Sequence, residues 1–356
     1  MKKLLIFSLI LIGTITFLFS FDELFEPSPF GVGTGYTYTI FQLSPTIGLY
    51  IPGGSFPPSV AFSKVSYTVD NGNFREFLYN KNTDLGEGNF FKGMKSTSLV
   101  AAYGNFSIFK ISLDNLFVRY DSDNEYYDLN GFKGDIYGLT YYKRSGNFQY
   151  GVSLKRYEGR FYFGNISSAE YFRNYGDLYD FFSQKRDELN PVMTEDKSSD
   201  KLSFYTLESS LSFAVYRSLY ISLKISPVNK VKIEELDKTI STRYVGGATF
   251  ILSRSTSFNF SIYLKSIEDF YSGDMKQPVA FSMIHFFSNI SFITLGWRSN
   301  LKASHLFSAG YESTLSGGVG YVFGNTVYTY VSGAISSWNK LSSFNITIAY
   351  ISHTFK

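Results

Sequence analysis

A strict alternation of apolar and polar residues is the feature that most constrains what this chain can fold into. The clearest case is 256–266, where phenylalanine, isoleucine and leucine alternate with serine, asparagine, tyrosine and lysine. The same pattern recurs in 148–155, 219–226 and 344–350. Because successive side chains of a β-strand point to opposite faces, each stretch predicts a strand with one apolar and one polar face.

A soluble β-sandwich and a transmembrane β-barrel both produce such strands. The barrel is favoured because the strands run about 9 to 12 residues, the length of a tilted strand across a bilayer. Tyrosine and phenylalanine crowd towards strand ends, and short turns alternate with long polar loops. We therefore predict an all-β fold, a closed antiparallel transmembrane β-barrel of about 14 strands with one helix-containing outer loop. This count begins at Ser59 and takes 303–323 as one bent strand.

Composition removes several other classes of protein. The 356 residues include no cysteine, which excludes disulfide frameworks and zinc-thiolate or iron–sulfur sites. A net charge of +3 gives no reason to expect a nucleic-acid partner. The three histidines, His285, His305 and His353, lie in separate predicted strands, and no Gly-x-Ser-x-Gly or phosphate-binding loop occurs. We expect no enzyme activity, no metal and no cofactor.

The amino-terminal segment predicts export. Residues 1–20 join two lysines to an apolar run and read as a signal peptide, with a membrane anchor as the alternative. An exported, cysteine-free, β-rich chain is expected in the cell outer membrane. Residues 21–58 hold six of the nine prolines and predict either a plug or irregular N-terminal strands. The barrel is expected to occupy 59–356.

About fourteen strands behind an N-terminal segment of this length resemble the long-chain fatty-acid transporter type of outer-membrane channel. The resemblance implies a hatch inside the barrel and passage of hydrophobic compounds. Ser44-Pro45-Thr46 and Pro57-Pro58-Ser59 do not reproduce that family's Asn-Pro-Ala element, so no binding residue is carried over. The broader resemblance, to porin-like outer-membrane β-barrels in general, covers the whole chain.

The polar faces of the predicted strands supply candidate lumen-lining residues. They are Lys110, Lys155, Glu208, Lys224, Lys265, Asn259 and Tyr263. Four lysines against one glutamate would make the lumen mildly positive and favour anions. The alternative is that the lysines lie near strand ends and reach into water.

The outer loop 165–200 carries the predicted helix. Four apolar residues recur there at helical spacing: Tyr171, Tyr175, Leu178 and Phe182. Asn190-Pro191 would end this helix. Such an aromatic helix could constrict the barrel mouth, contact lipid or a ligand, or pack on the barrel rim.

These features predict a passive porin-like channel for small solutes. A hatch-bearing facilitator for hydrophobic compounds is the alternative, and a non-conducting structural or adhesive surface barrel is the second. The expected partners are outer-membrane lipid and a small-molecule solute. The oligomeric state stays open.

Overall fold

The computed structural model describes most of the chain from Phe56 onward. The described residues are 56–70, 90–121, 126–167, 178–193, 201–228, 230–268, 270, 275–288, 290–301, 314–323, 326–336 and 340–351. The predicted signal peptide and nearly all of the predicted plug lie outside them. So do Tyr171 and Tyr175.

The described residues are mostly β-strand. In chain order the strands are Phe56–Asp70 (β1), Phe90–Gly104 (β2), Phe106–Asp121 (β3), Tyr126–Ser145 (β4), Phe148–Ser167 (β5), Leu202–Tyr216 (β6), Leu219–Ser226 (β7), Val231–Ile233 (β8), Lys238–Ile240 (β9), Arg243–Ile251 (β10), Thr256–Tyr263 (β11), Ile267–Glu268 (β12), Met275–Lys276 (β13), Pro278–Ser288 (β14), Ser291–Asn300 (β15), Thr314–Phe323 (β16), Val327–Ser336 (β17) and Lys340–Ile351 (β18). One α-helix is described, Leu178–Glu188 (α1).

Fourteen of these strands form a closed antiparallel barrel, as the sequence predicts. Each strand pairs with its neighbours along the chain, and β1 closes the ring by pairing with β18. Ser63, for example, lies opposite Ser98 on one side and Thr347 on the other. The strand predicted as bent over 303–323 begins at Thr314 among the described residues. Its Gly317-Gly318 pair stays in regular register and forms no bulge.

The two ends of the barrel differ. Short turns join β2 to β3 and β4 to β5, and Gly104 and Gly146 adopt the positive φ of 57° that these turns require. This is the turn end. The opposite end, called the loop end, carries the long connections, including α1 and two small hairpins, β8–β9 and β12–β13. Outer-membrane barrels keep short turns in the periplasm and long loops outside, so the loop end faces the exterior.

Burial follows the predicted alternation. Outward positions hold exposed apolar side chains such as Leu99 (54% exposed), Ile221 and Val319. Inward positions, including Ser98 and Thr249, are buried. An apolar exterior around an interior that contains both polar and apolar side chains matches a wall that faces lipid. No helix in the described part of the chain is long and apolar enough to span a membrane.

The barrel wall is much taller on one side. Strands β4 and β5 have 20 residues each, whereas β7 and β11 have 8. The extra length lies at the loop end, because the turns at the other end are all short. Helix α1 packs against the outer face of this tall wall, at β3 and β4.

Candidate functional site: the barrel lumen

A group of aromatic rings lies inside the lumen towards the loop end. Its members are Phe132, Tyr157, Phe161, Phe163, Phe204 and Phe270. The rings of Tyr157 and Phe204 stack with centroids 4.7 Å apart, and those of Phe132 and Phe161 lie 4.8 Å apart. We call this set the upper aromatic cluster. It forms an apolar region inside the lumen, with most of its rings buried.

Strand parity and two loop hairpins assemble this cluster. Tyr157, Phe161 and Phe163 continue the inward register of β5 beyond the height of a single bilayer span, and β4 and β6 supply their neighbours. Phe270 comes from the connection between β12 and β13. Lys238 of β9 donates from Nζ to the Phe270 carbonyl oxygen at 2.9 Å and lies 4.5 Å from the Phe163 centroid. The two hairpins therefore close over the upper aromatic cluster.

A buried ionic group occupies the same wall closer to the turn end. Lys155 Nζ lies 2.7 Å from Glu208 Oε1, and Lys224 Nζ lies 3.6 Å from Glu208 Oε2. Ser226 donates a third contact, from Oγ to Glu208 Oε1 at 2.6 Å. All three charged side chains are at most 7% exposed. Several partners around one carboxylate offset the cost of removing these charges from water.

Hydroxyl and amide groups line the lumen beside this ionic group. Thr249 Oγ1 donates to Asn259 Oδ1 at 2.9 Å, and Asn259 Nδ2 donates to Ser282 Oγ at 3.3 Å. On the adjacent strands β4 and β5, Thr140 Oγ1 donates to Ser153 Oγ at 2.9 Å. Other buried hydroxyls have no hydrogen-bond partner among the described residues, including Ser107, Ser212, Ser257 and Ser316. These oxygens can accept or donate to water or to a polar solute.

A second aromatic group lies on the wall formed by β14–β17, towards the turn end. The ring of Phe292 stacks on Tyr330 at 5.8 Å and on Tyr328 at 6.1 Å. The Tyr330 hydroxyl is 2.6 Å from Thr294 Oγ1. The described lumen therefore has aromatic rings at the top of one wall, polar groups below them on β5–β14, and aromatic rings again at the bottom of the opposite wall. On β1–β3 the inward side chains near the middle, such as Val100 and Phe109, are apolar.

Five of the predicted lumen residues do face inward. Lys155, Glu208 and Lys224 form one group, and Asn259 lies in the hydroxyl network. Tyr263 packs half-buried against the inner core at the end of β11.

Two predicted lumen residues lie elsewhere, and those predictions are wrong. Lys110 shares the outward face of β3 with Ile108, and it pairs there with Asp135 at 2.9 Å. Lys265 follows the last residue of β11 and is exposed, with Nζ 5.5 Å from the ring of Tyr244 on the outward face of β10. On β3 the inward face is the apolar one, with Phe109 and Ile111 buried, so Lys110 falls on the outward face. Lys265 lies just beyond the end of its strand.

The helix predicted to constrict the mouth also lies outside the lumen. Phe182 is fully buried against Phe91 and Tyr127, which are outward residues of the tall wall. Of the other predicted helix residues, Leu178 begins the helix. The helix packs on the barrel rim, which was one of the alternatives. It ends at Glu188, just before the predicted stop at Asn190-Pro191.

Sequence reasoning missed the upper aromatic cluster. Tyr157, Phe161 and Phe163 look like members of a membrane-interface girdle. Their position along the strand distinguishes them. Every second residue of β5 from Gln149 onward faces the lumen, and this set includes all three.

The closed antiparallel barrel and its apolar outer wall together define a transmembrane β-barrel of the outer-membrane type. The resemblance expected from the strand count is confirmed at the level of fold.

Solved structures with this fold include hydrocarbon channels. A TodX deletion mutant described as a monoaromatic hydrocarbon channel superposes with a TM-score of 0.57 at 7% identity, over 92% of this chain and 99% of that one. The Ralstonia pickettii toluene transporter TbuX gives 0.54 at 10% identity, over 93% and 99%. The Pseudomonas putida toluene transporter TodX gives 0.53 at 8% identity, over 90% and 96%.

No protein-family model matches the chain, and no curated protein matches its sequence. The likeness at these identities establishes the fold.

Proposed function

We propose that this chain is an outer-membrane channel that admits small hydrophobic compounds from the exterior. The observation that carries the proposal is the upper aromatic cluster, which places apolar side chains at the loop end of the lumen. A compound leaving water gains about 25 cal/mol for each Å² of apolar surface that it buries there. The hydrocarbon channels that share the fold support the same substrate class.

A porin-like channel for hydrophilic solutes is the second candidate. The buried Ser, Thr and Asn side chains around the middle of the lumen favour it, because they offer hydrogen bonds to a polar solute. The entrance at the loop end argues against this candidate, because a hydrophilic solute would have to pass the aromatic rings there. The hydrophobic class is therefore the better supported of the two.

Uptake by cells that overproduce the protein separates the candidates. We expect faster uptake of radiolabelled toluene than in cells with an empty vector, and little acceleration of arabinose entry in a liposome-swelling assay. Phe204→Ala should reduce toluene uptake several-fold, since Phe204 stacks on Tyr157 inside the lumen.

Phe213→Ala is the matched control, because Phe213 lies on the same strand but faces outward. It should leave uptake unchanged. Rapid arabinose entry without any toluene effect would instead support the hydrophilic channel. If the protein accelerates neither toluene uptake nor arabinose entry, the barrel is non-conducting.

A further inference from the structure

A buried arginine holds helix α1 on the outer face of the tall wall. The side chain of Arg186 is fully buried. Its guanidinium donates to both carboxylate oxygens of Asp114 on β3 and, from Nη2 at 2.8 Å, to Oδ1 of Asp187. Ser183 Oγ accepts a further bond from Nη2 at 3.1 Å. Because several acceptors surround this charge, they offset the cost of its burial and fix the guanidinium in one position.

A glycine in the barrel wall lets Arg186 reach the backbone of β3. A Cβ atom at Gly131 of β4 would come within 2.7 Å of Arg186 Cδ and 2.8 Å of the Asn115 carbonyl oxygen. In the space that the glycine leaves, Arg186 Nη1 donates to this carbonyl oxygen at 3.3 Å. Oδ1 of the same Asn115 accepts the backbone N–H of Phe132 at 3.0 Å. Phe132 belongs to the upper aromatic cluster, so Asn115 connects the exterior arginine to a ring of the lumen.

A second connection runs through β5. The guanidinium carbon of Arg186 lies 5.3 Å from the centroid of the Tyr162 ring, within the range of a cation–π contact. Tyr162 stands between Phe161 and Phe163 on the strand, and both of these rings belong to the upper aromatic cluster. Because consecutive side chains of a strand point to opposite faces of one backbone, holding Tyr162 from outside restrains its two neighbours inside.

The segment that follows α1 makes a third connection. Leu189 packs over Gly164 of β5, where a Cβ atom would lie 3.1 Å from Leu189 Cδ2. The backbone N–H of Val192 then donates to the carbonyl oxygen of Phe161 at 2.8 Å. The ring centroid of Phe161 lies within 6.5 Å of four other rings of the upper aromatic cluster. This contact therefore reaches the central ring of the cluster.

The rings on β5 lie where the sheet restrains them on one edge. The ladder between β5 and β6 ends with the pair Gly159 and Leu202, whereas the ladder between β4 and β5 continues to Ser167. Phe161 and Phe163 lie above that last pair with β6. A strand segment held along one edge has more freedom than one held along both, so contacts from α1 act where the sheet does not.

We propose that Arg186 is a positioning residue that fixes the upper aromatic cluster from outside the barrel, and that α1 thereby sets how tightly the entrance receives a compound. The three connections end on the backbone of β3, on the outward ring of Tyr162 and on the backbone of Phe161. Arg186 therefore acts through the wall and not on the compound. The effect on entry rests on the proposed function, whereas the effect on the rings does not.

Fluorine NMR tests the positioning directly. We would place para-fluorophenylalanine singly at Phe161 in protein purified in detergent micelles. Arg186→Gln should shift or broaden this resonance, because a neutral amide cannot hold two carboxylates and the β3 carbonyl together. Arg186→Lys should give an intermediate effect, since it keeps the charge but lacks the guanidinium fork. The same label at Phe292, near the turn end, should not respond.

Lys185→Gln is the matched control, because Lys185 is the neighbouring cation of α1 and pairs with Glu188 of the same helix at 2.9 Å. It should leave the resonance at Phe161 unchanged. The proposal is wrong if Arg186→Gln also leaves this resonance unchanged, or if the control alters it to the same extent. Heat-modifiable gel mobility verifies that every variant is folded.

The kinetics of toluene uptake by cells test the consequence for entry. Arg186→Gln should raise the toluene concentration of half-maximal uptake several-fold and leave the maximal rate close to that of the parent. Arg186→Lys should restore part of this loss. A lower maximal rate at unchanged half-saturation would mean that Arg186 only supports folding, which contradicts the proposal. If the parent itself does not accelerate toluene uptake, the proposed function fails, and fluorine NMR still decides whether Arg186 positions the rings.

Discussion

Glu208 is the carboxylate that two buried lysines of the lumen share. Its two oxygens contact Lys155, Lys224 and the hydroxyl of Ser226, and all of these groups lie away from bulk water. A buried pair of this kind adds little net stability compared with apolar residues, but breaking it leaves charge without compensation. The group is therefore sensitive to substitution of its central member.

Glu208→Gln should lower the free energy of unfolding by about 3 kcal/mol, because two ammonium groups lose their counter-ion in the lumen. Glu158→Gln is the matched control. Its pair with Arg156 is partly exposed on the outer wall, and its loss should cost less than about 1 kcal/mol. Urea unfolding in detergent micelles measures both variants. Equal costs would mean that Glu208 does not hold the two lysines.

A glycine in the barrel wall makes room for an aromatic ring. Gly138 of β4 lies opposite Phe109 of β3, and a Cβ atom at Gly138 would come within 1.9 Å of the Phe109 ring. Such pairs of a glycine with a cross-strand aromatic residue stabilise curved sheets.

Gly138→Ala should therefore destabilise the barrel by about 1 to 3 kcal/mol, as overpacked cores do. The double variant Gly138→Ala/Phe109→Leu should recover part of this loss, because the smaller side chain vacates the space. Unfolding in urea gives the coupling energy between the two positions. Additive effects would show that the ring and the glycine are independent.

At the scale of elements, alternation predicts the strands well where each has one buried and one exposed face. It fails near the loop end of β4, where Leu129 to Phe132 are all buried. From the sequence we would begin this strand only at 134, whereas the strand itself begins at Tyr126. The cause is α1, which covers the outer face there, so that residues on both faces are buried. The helical spacing of aromatic residues predicts the helix, but it does not predict the outer face of β3 and β4 against which the helix packs.

The contacts of α1 also make its docking dependent on pH. Burial raises the pKa of Asp187, but hydrogen bonds from Lys133 at 2.6 Å and from Arg186 outweigh it and hold this pKa below its ordinary value. A carboxyl group with a lowered pKa stabilises the docked helix above its ordinary pKa. This contribution is lost as the pH falls through the lowered value.

We expect hydrogen exchange in 178–188 to be slow at neutral pH and to quicken, after correction for the intrinsic rate, once the pH falls below the ordinary range of a carboxyl group. Asp187→Asn should exchange faster already at neutral pH and lose most of this dependence. Asp180→Asn serves as the control, since its pair with Lys95 is largely exposed and should matter little. Unchanged exchange in Asp187→Asn would contradict the prediction.

At the scale of the whole molecule, the number of strands, their order and the closure of the barrel follow from the sequence. Turn residues and strand lengths set these properties locally, and an antiparallel ring with neighbours in chain order needs no further information. The lumen site follows only in part. Glu208 and its lysines can be located by parity, but Phe270 and Lys238 reach the lumen from loops whose short strands carry no periodic signal.

These loop hairpins lie between the lumen and the exterior and can therefore control entry into the barrel. Ile233 and Ile240 of the β8–β9 hairpin are buried in the same core as the upper aromatic cluster. Replacing Ile233 by serine removes apolar contact and places a hydroxyl against the rings, at a cost of about 2 to 4 kcal/mol to the closed position of the hairpin. This substitution changes no residue of the barrel strands.

Ile233→Ser should therefore raise the single-channel conductance in planar bilayers, with more frequent transitions to the open level, while the melting of the barrel stays close to that of the parent. Lys232→Ser is the matched control, because Lys232 is the neighbouring residue on the same strand and points into solvent. It should conduct like the parent. A conductance that both substitutions leave unchanged would mean that the β8–β9 hairpin does not gate the lumen, and entry would then depend on the aromatic rings alone.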